Sequence, residues 1–325
     1  MKGLTDIDGI LVGHASRRDS RTGCTVVLCE SGAVGGIDIR GSATGSTEWQ
    51  VLAPDHVTER IHGVCLAGGS AFGLEAASGV RQYLARKGVG FATQAGVVPL
   101  VPGAILYDLA LAKRGAHPDR DLGEAAAKAA TSGAVAEGNV GAGTGASVGK
   151  LFGMARAMKA GIGTATVELS GPYAGVRVSA LAAVNAFGDV VDPATGRIVA
   201  GARAAEGSEE FADTAASLMR GAHRGSGALR GGENTTLAVV ATNAGLSKVQ
   251  ATKLAQMANA GFARAVSPAW TMFDGDVTFA LSLGTKQCDL AALGAAAARA
   301  LAEAIVRAAR MAAPAGGVPG LGTAG

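Results

Sequence analysis

Charge is scarce in this chain of 325 residues: Asp, Glu, Lys and Arg together make up 17%, and the formal net charge is only +3. No cluster of Lys and Arg stands behind that small excess, which excludes nucleic acid and anionic membranes as expected partners. Cysteine is limited to Cys24, Cys29, Cys65 and Cys288. Their apolar settings point to buried small side chains in a reducing compartment rather than a disulfide framework. The five histidines, His14, His56, His62, His117 and His223, are scattered without ligand spacing, so no metal is expected, and the chemistry read below from the focal stretch needs no organic cofactor. The N-terminus, Met1-Lys2-Gly3-Leu4-Thr5-Asp6, has no apolar core or small-residue cleavage site, and a cytoplasmic location is the default. No uninterrupted apolar run reaches membrane-spanning length, because the Ala-rich C-terminal segment carries Arg299, Glu303, Arg307 and Arg310.

What the chain has in abundance is alanine and glycine, the latter at 50 positions. With no internal repeat and no linker, it reads as one compact α/β domain over 1–325. Strands are expected over 24–29 and 33–39, joined as a hairpin through Glu30-Ser31-Gly32, then over 64–67, 161–169 and 176–184. Helices are expected over 74–86, over 122–130 behind Asp121 as N-cap, over 206–219, from Ser247 to about 265, and over 289–312. Residues 314–325 read as a loose tail.

Two glycine-dense turns invite motif readings. Gly68-Gly69-Ser70-Ala71-Phe72 follows a strand, but the nucleophile elbow requires glycine where Phe72 stands. A close-packing turn is the better reading. Gly141-Ala142-Gly143-Thr144-Gly145-Ala146-Ser147-Val148-Gly149-Lys150 ends like a phosphate loop, yet Thr144 stands where the first glycine is needed and Leu151 where a hydroxyl is needed. The dinucleotide pattern breaks at Val148. Lys150 is instead a cation delivered to a crowded site.

The focal stretch is Gly232-Glu233-Asn234-Thr235-Thr236, approached through Gly225, Gly227, Gly231 and Gly232 and followed by the apolar run 237–243. Scission between Asn234 and Thr235 would give Thr235 both a hydroxyl and a free α-amine, whose ordinary pKa of about 7.7–8.0 suits it to accept that hydroxyl's proton. Before scission the same hydroxyl can attack the Asn234 carbonyl and form an ester that water opens. Downstream, Asp274 and Asp276 are two apart, so an extended segment turns both carboxylates to one face. Repulsion raises one pKa of such a pair, and a nearby ammonium restores ionisation. A solvated Asp-Gly turn is the competing reading.

The segments 66–74, 141–150 and 233–243, in this order along nearly the whole chain, resemble the DmpA-type L-aminopeptidase/D-esterase family, which also contains β-peptidyl aminopeptidases and nylon-oligomer endohydrolases. The resemblance implies a layered αββα sandwich of the N-terminal-nucleophile-hydrolase kind, two β-sheets between helical layers. It implies a precursor self-cleaved into 1–234 and 235–325, commonly assembled as a homo-oligomer, often a tetramer of the cleaved units. Thr235 matches the nucleophile and Asn185 a strand-end oxyanion donor. Lys150, Asp274 and Asp276 match the nylon-hydrolase branch, whereas the aminopeptidase branch has Ser and Glu at the last two. The substrate implied is a small peptide, an amino-acid amide or ester, or an amide oligomer. Tyr107, Trp270 and Trp49 are candidate pocket liners. A ligand-binding protein that keeps the fold without cleavage is the alternative from another class.

Overall fold

The structure, a computed structural model, describes residues 1–223 and 233–323. The glycines expected to lead into the focal stretch, Gly225, Gly227, Gly231 and Gly232, lie outside those described residues. The main strands are Leu11–Arg17 (β1), Thr22–Ile39 (β2), Arg60–Ala67 (β3), Gly103–Ile105 (β4), Ile162–Glu168 (β5), Arg177–Ala183 (β6), Leu237–Ala244 (β7) and Val277–Lys286 (β8). With the short strand Ser46–Thr47 they form a sheet in the order β5-β6-β7-β8-β2-β3-β4-Ser46–Thr47, with β1 beside β2. Its neighbours run antiparallel except β7 with β8 and β3 with β4. The helices are Ala76–Arg86 (α1), Arg120–Lys128 (α2), Thr214–Met219 (α3), Lys248–Ala265 (α4) and Leu290–Arg310 (α5).

Strand alternation explains the layers. Because successive side chains leave a strand on opposite faces, β7 sends Leu237, Val239 and Ala241 to one side and Ala238 and Val240 to the other. The first set shares a core with Phe279 of β8, Val27 of β2, and Val64 and Leu66 of β3. The second set packs with Leu254, Phe262, Leu301 and Ile305 of α4 and α5. On the far side Val26 and Leu28 of β2 meet Ala76, Val80 and Leu84 of α1 and Ala126 of α2. The long strand β2 thus belongs to both halves of a sheet folded on itself, giving a helix–sheet–sheet–helix sandwich. Complete burial of a side chain such as Leu237 or Phe279 contributes about 1.5–3 kcal/mol. Small residues let the outer helices approach closely: a Cβ at Gly261 of α4 would stand 1.8 Å from the Ala298 carbonyl oxygen of α5.

Four expectations are corrected. Residues 30–32 do not reverse the chain; β2 runs through them with a register shift between Leu28 and Ala33. No reversal is needed, since β1 flanks only its first half and β8 only its second. Helix α2 is capped by Asp119, whose carboxylate accepts from Leu122 N–H at 3.0 Å, not by Asp121. The helix expected over 206–219 is confined to Thr214–Met219. Gly207, at φ 78°, breaks the chain direction, and the buried Asp189 carboxylate pins the helix start through Thr214 N–H at 2.6 Å. The C-terminal segment is tied down through residue 323 rather than loose: Pro319 O accepts from Lys159 N–H at 2.7 Å, and Gly322 N–H donates to Ala312 O at 2.8 Å. Among the described residues no helix is long and apolar enough to cross a membrane, and no group of three or more His, Cys, Asp or Glu is placed to hold a metal ion.

Candidate active site

The parallel neighbours β7 and β8 begin side by side, Leu237 opposite Val277. The residues just before them are therefore brought together, and Asn234 bridges Asp274 directly. Thr235, Asn185, Lys150, Asp274 and Asp276 all converge here, each at most 3% exposed. Thr235 itself is 1% exposed.

Thr235 is held from both ends of its peptide. Its N–H donates to the Asn185 carbonyl at 3.0 Å, and its Oγ1 donates to the carbonyl oxygen of Asn234 at 2.6 Å. That same oxygen accepts the Gly275 N–H at 2.8 Å. A Cβ at Gly275 would come within 2.7 Å of Thr235 Oγ1, so only glycine leaves room for the hydroxyl where it stands. Gly41 lets the loop after β2 lie against the same turn, since a Cβ there would stand 2.1 Å from Asp276 N. Neither glycine contact had a signal in the sequence beyond the Asp-Gly-Asp spelling.

Lys150 Nζ donates to Asn185 Oδ1 at 2.6 Å and to its carbonyl at 3.2 Å. Ser147 N–H reaches the same Oδ1 at 3.1 Å, so the glycine-dense loop delivers two donors to one side chain. The Asn185 amide N–H is turned away, to Tyr107 O at 2.9 Å. What Asn185 presents to Thr235 in the uncut chain is therefore its backbone carbonyl, not the oxyanion donor expected from resemblance.

Asp274 accepts from Phe187 N–H at 3.0 Å and from Thr271 N–H at 3.1 Å, and Asp276 from Thr236 N–H at 2.6 Å. Burial lifts both carboxyls above the ordinary range. Asp276 is lifted well above it because the Asp274 charge adds to burial, while Lys150 pulls both back. The expected carboxylate face is thus enclosed rather than a solvated turn.

The candidate pocket aromatics stand at different distances from this cluster. Tyr107 contributes its carbonyl, and burial together with the Glu233 charge pushes its phenol up. Trp270 packs on Phe262 at 5.8 Å under the Arg40 guanidinium, its ring half-buried. Trp49 opens the short turn Trp49–Leu52 and is 36% exposed. Ser70 sits at φ 54° in a turn packed around Asp108, in keeping with a structural role.

The model of Peptidase family S58 matches residues 2–321. An uncharacterized aminopeptidase of Mycobacterium bovis is 38% identical over 98% of this chain and 96% of its own length. A 6-aminohexanoate-oligomer endohydrolase of Paenarthrobacter ureafaciens is 31% identical over 88% of this chain and 75% of its own. Among solved structures, a Burkholderia sp. beta-aminopeptidase superposes with a TM-score of 0.70 at 24% identity, covering 99% of this chain and 91% of its own. The L-aminopeptidase D-Ala-esterase/amidase of Ochrobactrum anthropi, described as a variant of the Ntn hydrolase fold, does so with 0.70 at 19%, covering 96% and 86%. The layered sandwich expected from the sequence is the fold these structures share.

Proposed function

This chain belongs to peptidase family S58 and is a hydrolase of the aminopeptidase/amidase kind, and from that premise we propose that it is a self-processing N-terminal-threonine enzyme working through a Thr235 ester. The observation that carries the reading is the double hold on one carbonyl: the Asn234 oxygen lies 2.6 Å from Thr235 Oγ1 and 2.8 Å from the Gly275 N–H. In the first step Oγ1 bonds to the Asn234 carbonyl carbon, the Asn234–Thr235 C–N bond breaks, and the hydroxyl proton passes to the departing nitrogen. Gly275 N–H steadies the oxygen as it gains charge. Water then opens the ester, leaving an Asn234 carboxylate, chains of 1–234 and 235–325, and a free amine on Thr235.

In turnover the same hydroxyl attacks the substrate carbonyl, and the α-amine takes its proton and returns it to the leaving amine or alcohol. The new ammonium lies beside Asp274 and Asp276, two buried carboxylates that have Lys150 as their cationic neighbour before the cut. Ionising both acids becomes easier once that second cation exists, which supports orienting roles for the pair. Asn185 and Lys150 fix the nucleophile through the Thr235 N–H and the Asn185 side chain. Substrates of this reading are small peptides, amino-acid amides or esters. An amide-oligomer endohydrolase is the second reading, favoured by Lys150 and the two Asp residues together with the nylon-oligomer relatives. Tyr107 and Trp270 are the proposed border of the substrate space, and a homo-oligomer of cut units the proposed assembly.

The test is to quench turnover of an aminoacyl ester in acid and weigh the chains. The acyl mass should sit on 235–325, at Thr235, and disappear in Thr235→Ala; an adduct on 1–234 would exclude the mechanism. Running the same ester with its amine acetylated separates exo- from endo-acting turnover.

A further inference from the structure

Asn234 is 0% exposed, although it is an amide side chain in the residue whose acyl group Thr235 would take. Its Nδ2 donates to Phe273 O at 3.2 Å, while its Oδ1 is buried and accepts nothing among the described residues. Its backbone bridges Asp274, and its carbonyl is fixed by Gly275. The space around it is therefore built: one backbone acceptor for a side-chain donor, one backbone N–H for the carbonyl, and walls that close on an Asn-sized group.

The two reactions assigned to Thr235 share their second half. After self-cleavage begins, Asn234 is an acyl group esterified to Thr235 beside a free amine. After substrate attack, the substrate's acyl residue is esterified to the same oxygen beside the same amine. Water must open both esters, with the acyl–oxygen bond breaking and the hydroxyl restored. A single set of donors around the ester carbonyl serves both if the substrate's acyl residue occupies the place that Asn234 vacates.

The geometry points to the Asn234 cradle as the acyl-residue subsite of the mature enzyme, selecting short acyl residues no bulkier than asparagine and favouring those with a hydrogen-bond donor toward Phe273 O. This rests on the self-cleaving reading of Thr235. A branched or aromatic acyl side chain would overfill an enclosed Asn-sized space and bring no donor for the Phe273 carbonyl. Pocket differences of this size change kcat/KM by roughly 10–200-fold per methylene-sized misfit.

The experiment compares L-asparaginyl, L-alanyl, L-leucyl and L-phenylalanyl p-nitroanilides on the self-cleaved wild-type enzyme, each with a free and an acetylated amine. It also follows self-cleavage of Asn234→Ala and Asn234→Leu precursors by intact mass, with folding checked by circular dichroism. The asparaginyl and alanyl anilides should exceed the leucyl and phenylalanyl ones by at least about tenfold in kcat/KM, and Asn234→Leu should cut at least about tenfold more slowly than wild type. Preference for the bulky anilides, or turnover of none of the four by a chain that has cut itself, overturns the subsite and leaves the Thr235 mechanism standing. A wild-type chain that stays whole removes both. Should the Asn234 variants not fold, the anilide panel on wild-type protein decides alone.

Discussion

Two buried clusters in this molecule pair acid with lysine, and they are built differently. At Asp108, one carboxylate accepts Thr22 Oγ1 and Gly69 N–H, each at 2.7 Å, and Lys159 Nζ caps the Thr144 carbonyl at 3.1 Å and that of Ala146. One acid faces one base, and their partners tie the two glycine-dense turns together. At Thr235, two carboxylates face Lys150, a hydroxyl touches the carbonyl of its own peptide, and Asn234 Oδ1 and Thr236 Oγ1 are left without a hydrogen bond among the described residues. Burial alone does not distinguish the two; a pair of carboxylates beside a candidate nucleophile does. The first cluster is a strut. Among the described residues the second sets two carboxylates against one lysine, and a cut at Thr235 would add a further cation.

The sharpest way to break this contrast is Thr235→Ala, which should remain one chain and lose at least about a thousandfold in activity, read by intact mass and anilide turnover. Next comes the exchange of the two lysines for methionine. Lys150→Met should slow both self-cleavage and kcat by about 10²–10³-fold, whereas Lys159→Met should cut and turn over within a few-fold of wild type but melt lower, since two carbonyls lose their donor. Burial lowers the Lys159 pKa from 10.5 to about 7 against the pull of Asp108. The folded protein thus resists a proton that the unfolded chain accepts, and stability rises with pH across that range. The melting deficit of Lys159→Met should accordingly narrow as pH falls from about 10 to about 7.

Asp276→Asn separates stability from activity. Burial and the Asp274 charge raise the Asp276 carboxyl well above 3.8, so the unfolded chain ionises it first and folding is penalised as pH climbs. The variant should cut and turn over about 10–100-fold more slowly. Its melting temperature should exceed wild type by a margin that grows as pH rises above 3.8. The smallest of these effects is expected for Asp108→Asn, which keeps acceptor oxygen for Thr22 or Gly69 and should change kcat by no more than about threefold. A larger kinetic loss there would erase the distinction between strut and site.

Much of the second cluster was legible along the chain because its parts sit in motifs: Asn-Thr-Thr before an apolar strand, Asp-Gly-Asp before another, a lysine closing a glycine loop. Their meeting follows from β7 and β8 starting level with each other, and the apolar run after Asn-Thr-Thr announces the first of them. The Asp108–Lys159 strut was not legible. Those two residues are 51 apart in sequence, each sits among unremarkable neighbours, and only the fold makes one the charge partner of the other. The direction of the Asn185 amide could not be read either, since it depends on Tyr107 O being placed from a different segment. The missed helix start at Thr214 has the same origin: propensity favoured an earlier start, but Asp189 from a distant strand end fixes Thr214. Local signals named the elements and the candidate nucleophile; tertiary hydrogen bonds decided which polar groups face which.

The most direct measurement is the intact mass of purified wild-type protein under denaturing conditions, followed over time and joined to N-terminal sequencing of the smaller species. Self-cleavage at Asn234–Thr235 predicts two chains whose masses sum to the precursor plus one water, the smaller beginning Thr-Thr-Leu. A folded wild-type protein that stays a single chain, or one cut anywhere else, contradicts it.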